Sequence, residues 1–171
     1  LSFASGGTAN GGRTEGGGIS VSGTSNVVRA CTVSDTAGSG ILVSGTAHLI
    51  TRNHIFNTDY SATYATCVTL SGTGSQATFN TLHDTGRDIL QPTGKGVRVL
   101  YNELYNAGRL CKDLGAVYAW GTNGKAPDGS VNRIAYNWVH DSTANDPLGM
   151  GIYIDNYSRN FQIDHNVVWN F

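Results

Sequence analysis

The sequence predicts an all-β chain wound as a right-handed parallel β-helix of about six coils. Three observations predict it. A five-residue motif recurs, short segments alternate between apolar and polar residues, and an aliphatic residue stands at a fixed offset before each motif. The motif reads Asn, any residue, an aliphatic, any residue, then Asn or Asp. It is clearest at Asn137-Trp138-Val139-His140-Asp141 and recurs from Asn53, Asn80, Asn102 and Asn166, with a degenerate copy from Cys31 to Asp35.

The alternating segments come first in each coil. They begin at Ile19, Ile41, Val68, Val117 and Ile152, and period-two alternation marks a strand with one buried face. A second strand is centred on Val28, Ile50, Ala77, Val99, Ile134 and Ile163, each three residues before a motif. The motif itself supplies a third inward aliphatic at Val33, Ile55, Leu82, Leu104, Val139 and Val168. Each turn therefore offers three short strands to one axis, and coils stack about 4.8 Å apart. Stacking places the Asn residues over one another, so their amides form a ladder that satisfies buried turn groups. Cys31 is expected as a small buried residue in the Asn position of the first coil.

Residues 1–18 are Gly-rich without apolar periodicity and read as a lead-in loop, which leaves 19–171 as the β-helix. No capping element is legible at either end, so flanking domains or stacked chains are expected to cover the open coils. The formal charge is −1, which gives no electrostatic footprint for nucleic acid. No apolar run approaches the roughly 20 residues that span a bilayer. Three cysteines exclude a disulfide scaffold, and Cys67 with Cys111 remains one possible bridge.

The spacing of the motif locates the irregular part of the chain. Successive motifs start 22, 27, 22, 35 and 29 residues apart, so the coils toward the C-terminus carry insertions. These fall at 107–115 and 142–151, which occupy the same corner of successive coils, and at 122–130, with a shorter one at 58–66. Corresponding loops project from one edge and can wall a groove. Asp113 lies in one insertion and Asp155 ends the next coil's strand. Alternation turns Tyr118, Trp120, Tyr153 and Asp155 outward, with Tyr118 beside Tyr153 and Trp120 beside Asp155. Aromatic rings flanking carboxylates suit a sugar, whose C–H faces pack on rings while acids act on the glycosidic bond.

The stretch Asp113-Leu114-Gly115-Ala116-Val117-Tyr118-Ala119-Trp120-Gly121, the motif Asn137 to Asp141 and the strand Gly151-Ile152-Tyr153-Ile154-Asp155 together resemble the catalytic region of β-helical glycoside hydrolases. They are most similar to glycoside hydrolase family 141, which contains α-L-fucosidases and xylanases, and more distantly to the β-helical β-xylosidases. The specific likeness covers about residues 102–170; the remainder is similar only to general pectate-lyase-like repeats. Leu114 stands where that family has Gly, and Asn156 where it has a second acid.

The resemblance implies a polysaccharide or oligosaccharide substrate, an extracellular or periplasmic setting, and Asp113 and Asp155 as the catalytic carboxylates. It leaves open which is the acid and whether the reaction retains or inverts configuration. His140 and Asp141 would then orient substrate, as would Tyr118, Trp120 and Tyr153, and Arg109 or Lys112 would meet an acidic sugar. No cofactor is expected, with Ca²⁺ held by loop carboxylates as the one metal left open. Two other classes stand beside the hydrolase: a non-catalytic solenoid such as an adhesin or self-assembling surface protein, and a polysaccharide lyase, against which the scarcity of basic residues near the groove counts.

Overall fold

The computed structural model describes residues 17–144 and 148–171. The predicted lead-in loop thus lies, up to residue 16, outside the described residues, as does 145–147 of one insertion. Among the described residues no helix is long and apolar enough to cross a membrane.

Eighteen strands among the described residues form three parallel six-stranded sheets, each strand pairing with its counterpart one coil away. The first sheet holds β1 (Ile19–Val21), β4 (Ile41–Val43), β7 (Val68–Leu70), β10 (Leu90–Gln91), β13 (Leu114–Ala119) and β16 (Gly149–Ile154). The second holds β2 (Val27–Arg29), β5 (Leu49–Thr51), β8 (Gln76–Thr78), β11 (Arg98–Leu100), β14 (Asn132–Ala135) and β17 (Phe161–Asp164). The third holds β3 (Thr32–Thr36), β6 (His54–Thr58), β9 (Thr81–Thr85), β12 (Glu103–Ala107), β15 (Trp138–Ser142) and β18 (Val167–Trp169).

The registers follow the sequence columns. Val28, Ile50, Ala77, Val99, Ile134 and Ile163 pair in succession, as do Val33, Ile55, Leu82, Leu104, Val139 and Val168. In the middle coils these side chains are fully buried and pack with those of the first sheet into one core. Burial of each is worth about 1.5–3 kcal/mol. One strand escapes the alternation rule: β10 is only two residues long, because Pro92 has no N–H for the ladder.

The corners are built from chain that leaves the β region. Between the first two sheets, Gly45 and Gly72 have φ +97° and +93°, and a Cβ on Gly45 would lie 2.2 Å from the Gly23 carbonyl oxygen. Only glycine fits such a stack. Between the second and third sheets the Asn ladder turns the chain. Asn53, Asn80, Asn102 and Asn137 each donate from Nδ2 to the Oδ1 of the next coil's Asn at 2.9–3.0 Å. Their backbone N–H groups donate to that same oxygen. Each Nδ2 also reaches a carbonyl of the preceding coil, which for Asn102 is that of Ala77. Cys31 departs from expectation: it is only half-buried, and it joins the ladder through its N–H to Asn53 Oδ1 at 3.0 Å.

A second ladder runs outside the third sheet. The motif's last residue has φ near +55° in every coil, which Asn and Asp tolerate best. In sequence these residues alternate as Asp35, Asn57, Asp84, Asn106, Asp141 and Asn170. Each Asn amide donates to the Asp one coil earlier, Asn106 to Asp84 at 3.2 Å and Asn170 to Asp141 at 2.8 Å. The residue just before them stacks ring on ring: Phe56, His83, Tyr105, His140 and Trp169 lie 4.3–5.2 Å apart at interplanar angles of 5–11°.

Two stability measurements follow from these ladders. Asn102→Ala leaves the buried N–H of Asn80 and carbonyl of Ala77 without partners, and is expected to lower unfolding free energy by about 2–5 kcal/mol in urea titration. Asn106→Asp places like charges about 4.8 Å apart and should cost about 1 kcal/mol at neutral pH. That second penalty should vanish as pH falls below about 4, where carboxylates protonate.

Candidate functional site

The corner from the third sheet to the first varies most in length. It is long at 59–67 and 108–113 but only four residues, 86–89, in the coil between them. A short corner between two long ones leaves a notch, and a pocket of about 360 Å³ opens there, lined by Thr63, Tyr64, Arg87, Cys111, Lys112 and Asp113. The same corner one coil later, 143–148, is described only in part.

Arg87 forms the floor. Its guanidinium is buried, donates from Nε and Nη2 to the Asp113 carbonyl oxygen, and lies 4.0 Å from the Tyr64 ring centroid and 5.2 Å from that of Tyr118. Such a cation between rings gains cation–π attraction while desolvated. Asp113 presents that carbonyl because it adopts φ +51°, and its carboxylate stays open to solvent with Oδ2 4.0 Å from Arg87 Nη2. Beneath them Asp59 accepts from the Thr63 N–H and hydroxyl at 2.8 and 2.7 Å, which folds the 59–67 loop over the notch. Asp88 accepts from the Gly115 N–H and from Gln91, tying the short corner to β13. Asp59 Oδ2 and Arg87 Nη1 are buried without a hydrogen-bond partner.

Tyr118 connects Arg87 to the second carboxylate. It is buried at 7 % exposure, and its hydroxyl donates to Asp155 Oδ2 at 2.9 Å. Tyr118 and Tyr153 are register partners as expected, but their rings meet edge to face, 5.5 Å apart at 73°. The Asn156 N–H, the Tyr118 hydroxyl and the charge of Arg87 hold the Asp155 carboxyl below the usual carboxylate range. Burial and then the Asp155 and Asp113 charges push the Tyr153 hydroxyl up, so both carboxylates act on one ring. Burial, reinforced by Asp155, likewise raises Tyr118, which remains a proton donor at any physiological pH.

Arg87 therefore links Asp113 to Tyr118, and Tyr118 in turn meets Tyr153 and Asp155. Four other sequence candidates do not join them. Trp120 is 60 % exposed and meets Tyr157 edge-on. His140 and Asp141 belong to the outer ladders of the third sheet, with Nδ1 and Oδ2 2.9 Å apart. Arg109 turns to Asp84, Nη1 to Oδ1 3.7 Å. Cys67 and Cys111 are not bridged: all three cysteines are free. Cys67 points into the core, its thiol pushed up to about 12 by burial, whereas Cys111 lines the pocket outside. Among the described residues no group of three or more His, Cys, Asp or Glu is placed to hold a metal.

Arg87, Tyr64, Asp59 and Asp88 were missed as site residues. Their signal was positional: Gly86-Arg87-Asp88 occupies, in a coil of regular length, the corner at which its neighbours carry insertions.

A family model described as a right-handed β-helix region matches residues 17–171. No curated protein and no solved structure matches the chain.

Burial raises Asp88 to about 6 from 3.8, with Arg87 and the Gln91 and Gly115 bonds opposing it. The folded state then binds more protons than the unfolded chain between those values. Stability from this group is complete below pH 3.8 and is lost as pH rises through about 6. Asp88→Asn should flatten the stability curve across that window in thermal melts; an unchanged slope would place the proton elsewhere.

Proposed function

Because the chain belongs to the right-handed β-helix family, a scaffold that does not itself define an activity, we propose that it is a carbohydrate-active protein. Its chemistry is that of a glycoside hydrolase working at the notch between the long corners. The observation that carries this reading is the convergence of Asp113 and Asp155 on Arg87, Tyr118 and Tyr153 beside an open pocket.

The environments divide the roles. Asp155 is held ionised by the Asn156 N–H and the Tyr118 hydroxyl, so it serves as the nucleophile at the anomeric carbon or as the base that activates water. That leaves Asp113, the solvent-facing partner, to pass the proton to the leaving oxygen. Tyr64 and Tyr153 offer rings to the sugar, and a protein with this activity acts outside the cytoplasm on a polysaccharide or oligosaccharide.

One observation favours a second reading, a polysaccharide lyase. The scarcity of basic residues near the groove counted against it in the sequence, yet Arg87 and Lys112 both line the pocket and suit an acidic sugar. The two reactions leave different products, since a lyase creates unsaturated, ultraviolet-absorbing ends and a hydrolase does not.

Both are tested by incubating the chain with neutral and uronic-acid polysaccharides and assaying reducing ends and unsaturated ends separately. Asp155→Asn should lower hydrolysis by about 10²–10⁴-fold. Asp113→Asn should spare aryl glycosides, whose leaving groups need little protonation, far more than the polysaccharide. Undiminished hydrolysis by Asp155→Asn would remove it from the mechanism.

A further inference from the structure

We propose that His54 and His83 form a two-histidine binding site for a divalent transition metal of tetragonal preference, Cu²⁺ or Ni²⁺, on the outer face of the third sheet. This site is separate from the carboxylates of the notch and does not depend on their role.

Register brings the two rings together. Thr81 pairs with His54 and His83 with Phe56, so His54 and His83 sit diagonally on one face of β6 and β9. Their Nε2 atoms are 2.8 Å apart. On its other side His83 Nδ1 lies 2.8 Å from Asp84 Oδ2. A carboxylate there keeps the proton on Nδ1 and turns the Nε2 lone pair toward His54, the arrangement by which an outer carboxylate orients a ligating histidine. The His83 ring is clamped between Phe56 at 5.2 Å and Tyr105 at 4.4 Å. It is therefore a fixed ligand, while His54 is exposed and free to adjust.

The donor type sets the class of metal, and the spacing is compatible with it. Two nitrogens about 2.0 Å from one ion and at a right angle to each other lie about 2.8 Å apart, whereas a tetrahedral ion spreads them to about 3.3 Å. Imidazole pairs favour Cu²⁺ and Ni²⁺ over Ca²⁺ or Mg²⁺. On binding, the ion replaces the Nε2–Nε2 hydrogen bond, and His54 ligates as its neutral Nδ1–H tautomer, the proton moving from Nε2 to Nδ1 by way of solvent. Water fills the remaining positions. The same diagonal two coils later joins His140 Nε2 to Glu103 Oε1 at 3.6 Å, so the all-nitrogen pair occurs at His54 and His83.

The test is titration of the full chain with CuSO₄ and with NiCl₂ at neutral pH, by calorimetry and, for copper, by electron paramagnetic resonance. One equivalent is expected to bind with hyperfine structure from two imidazole nitrogens. His54→Gln and His83→Gln should each weaken binding at least about tenfold, and His165→Gln, at an exposed histidine on the second-to-third corner, should leave it unchanged. His83→Gln also disturbs the ring stack, so His54→Gln decides, with circular dichroism showing that the fold persists. Copper binding by His54→Gln equal to that of the unsubstituted chain, a spectrum lacking two nitrogens, or a loss produced by His165→Gln would each overturn the proposal.

Discussion

Everything in this chain depends on a hydrogen bond made between coils. A residue in one coil meets its counterpart about 4.8 Å away in the next, so each position faces a column of similar positions. At the inner corner that column is Asn, because one side chain must both donate along the stack and accept from the N–H of its neighbour. The ladder runs without interruption from Asn53 to Asn166, and Cys31 adds the last rung by donating its backbone N–H to Asn53 Oδ1. Lateral pairing of three-residue strands is weak by itself, and the ladder together with the shared core makes the stack cooperative.

The outer columns obey a second constraint, that like charges should not stack. The motif's last position needs a residue comfortable at positive φ, which favours Asn and Asp alike. Their strict alternation lets every Asp receive an amide from the coil above and keeps carboxylates two coils apart. The preceding column follows the same two-coil beat. Ser34, His83 and His140 precede an Asp and hydrogen-bond to it, whereas Phe56, Tyr105 and Trp169 precede an Asn and only stack. The true repeat of this face is thus a pair of coils.

Chemistry arises where the columns break. A uniform solenoid has no concave site, and the notch exists because two lengthened corners stand on either side of a short one. The same break exposes Asp113, buries Arg87 between rings and supplies Asp59 and Asp88, whose burial raises both above the ordinary carboxylate range. Buried charge is tolerated here because Arg87 offsets it and backbone or side-chain donors surround it.

The sequence by itself determined the coils. Inward aliphatics, the Asn column and the motif intervals were legible because each coil repeats the same local grammar, and the intervals also located the corner that holds the site. Tyr118, Tyr153 and Asp155 were readable as neighbours for the same reason: register on adjacent strands is fixed by alternation. Only the tertiary structure decided the rest. Arg87 sits in an unremarkable short turn and becomes central because its neighbours are long. Arg109, His140 and Asp141, which look like site residues in the chain, are taken up by ladders one sheet away. Local pattern specifies which residues share a column, but the direction of a corner side chain depends on the lengths of the loops above and below it, which no single coil encodes.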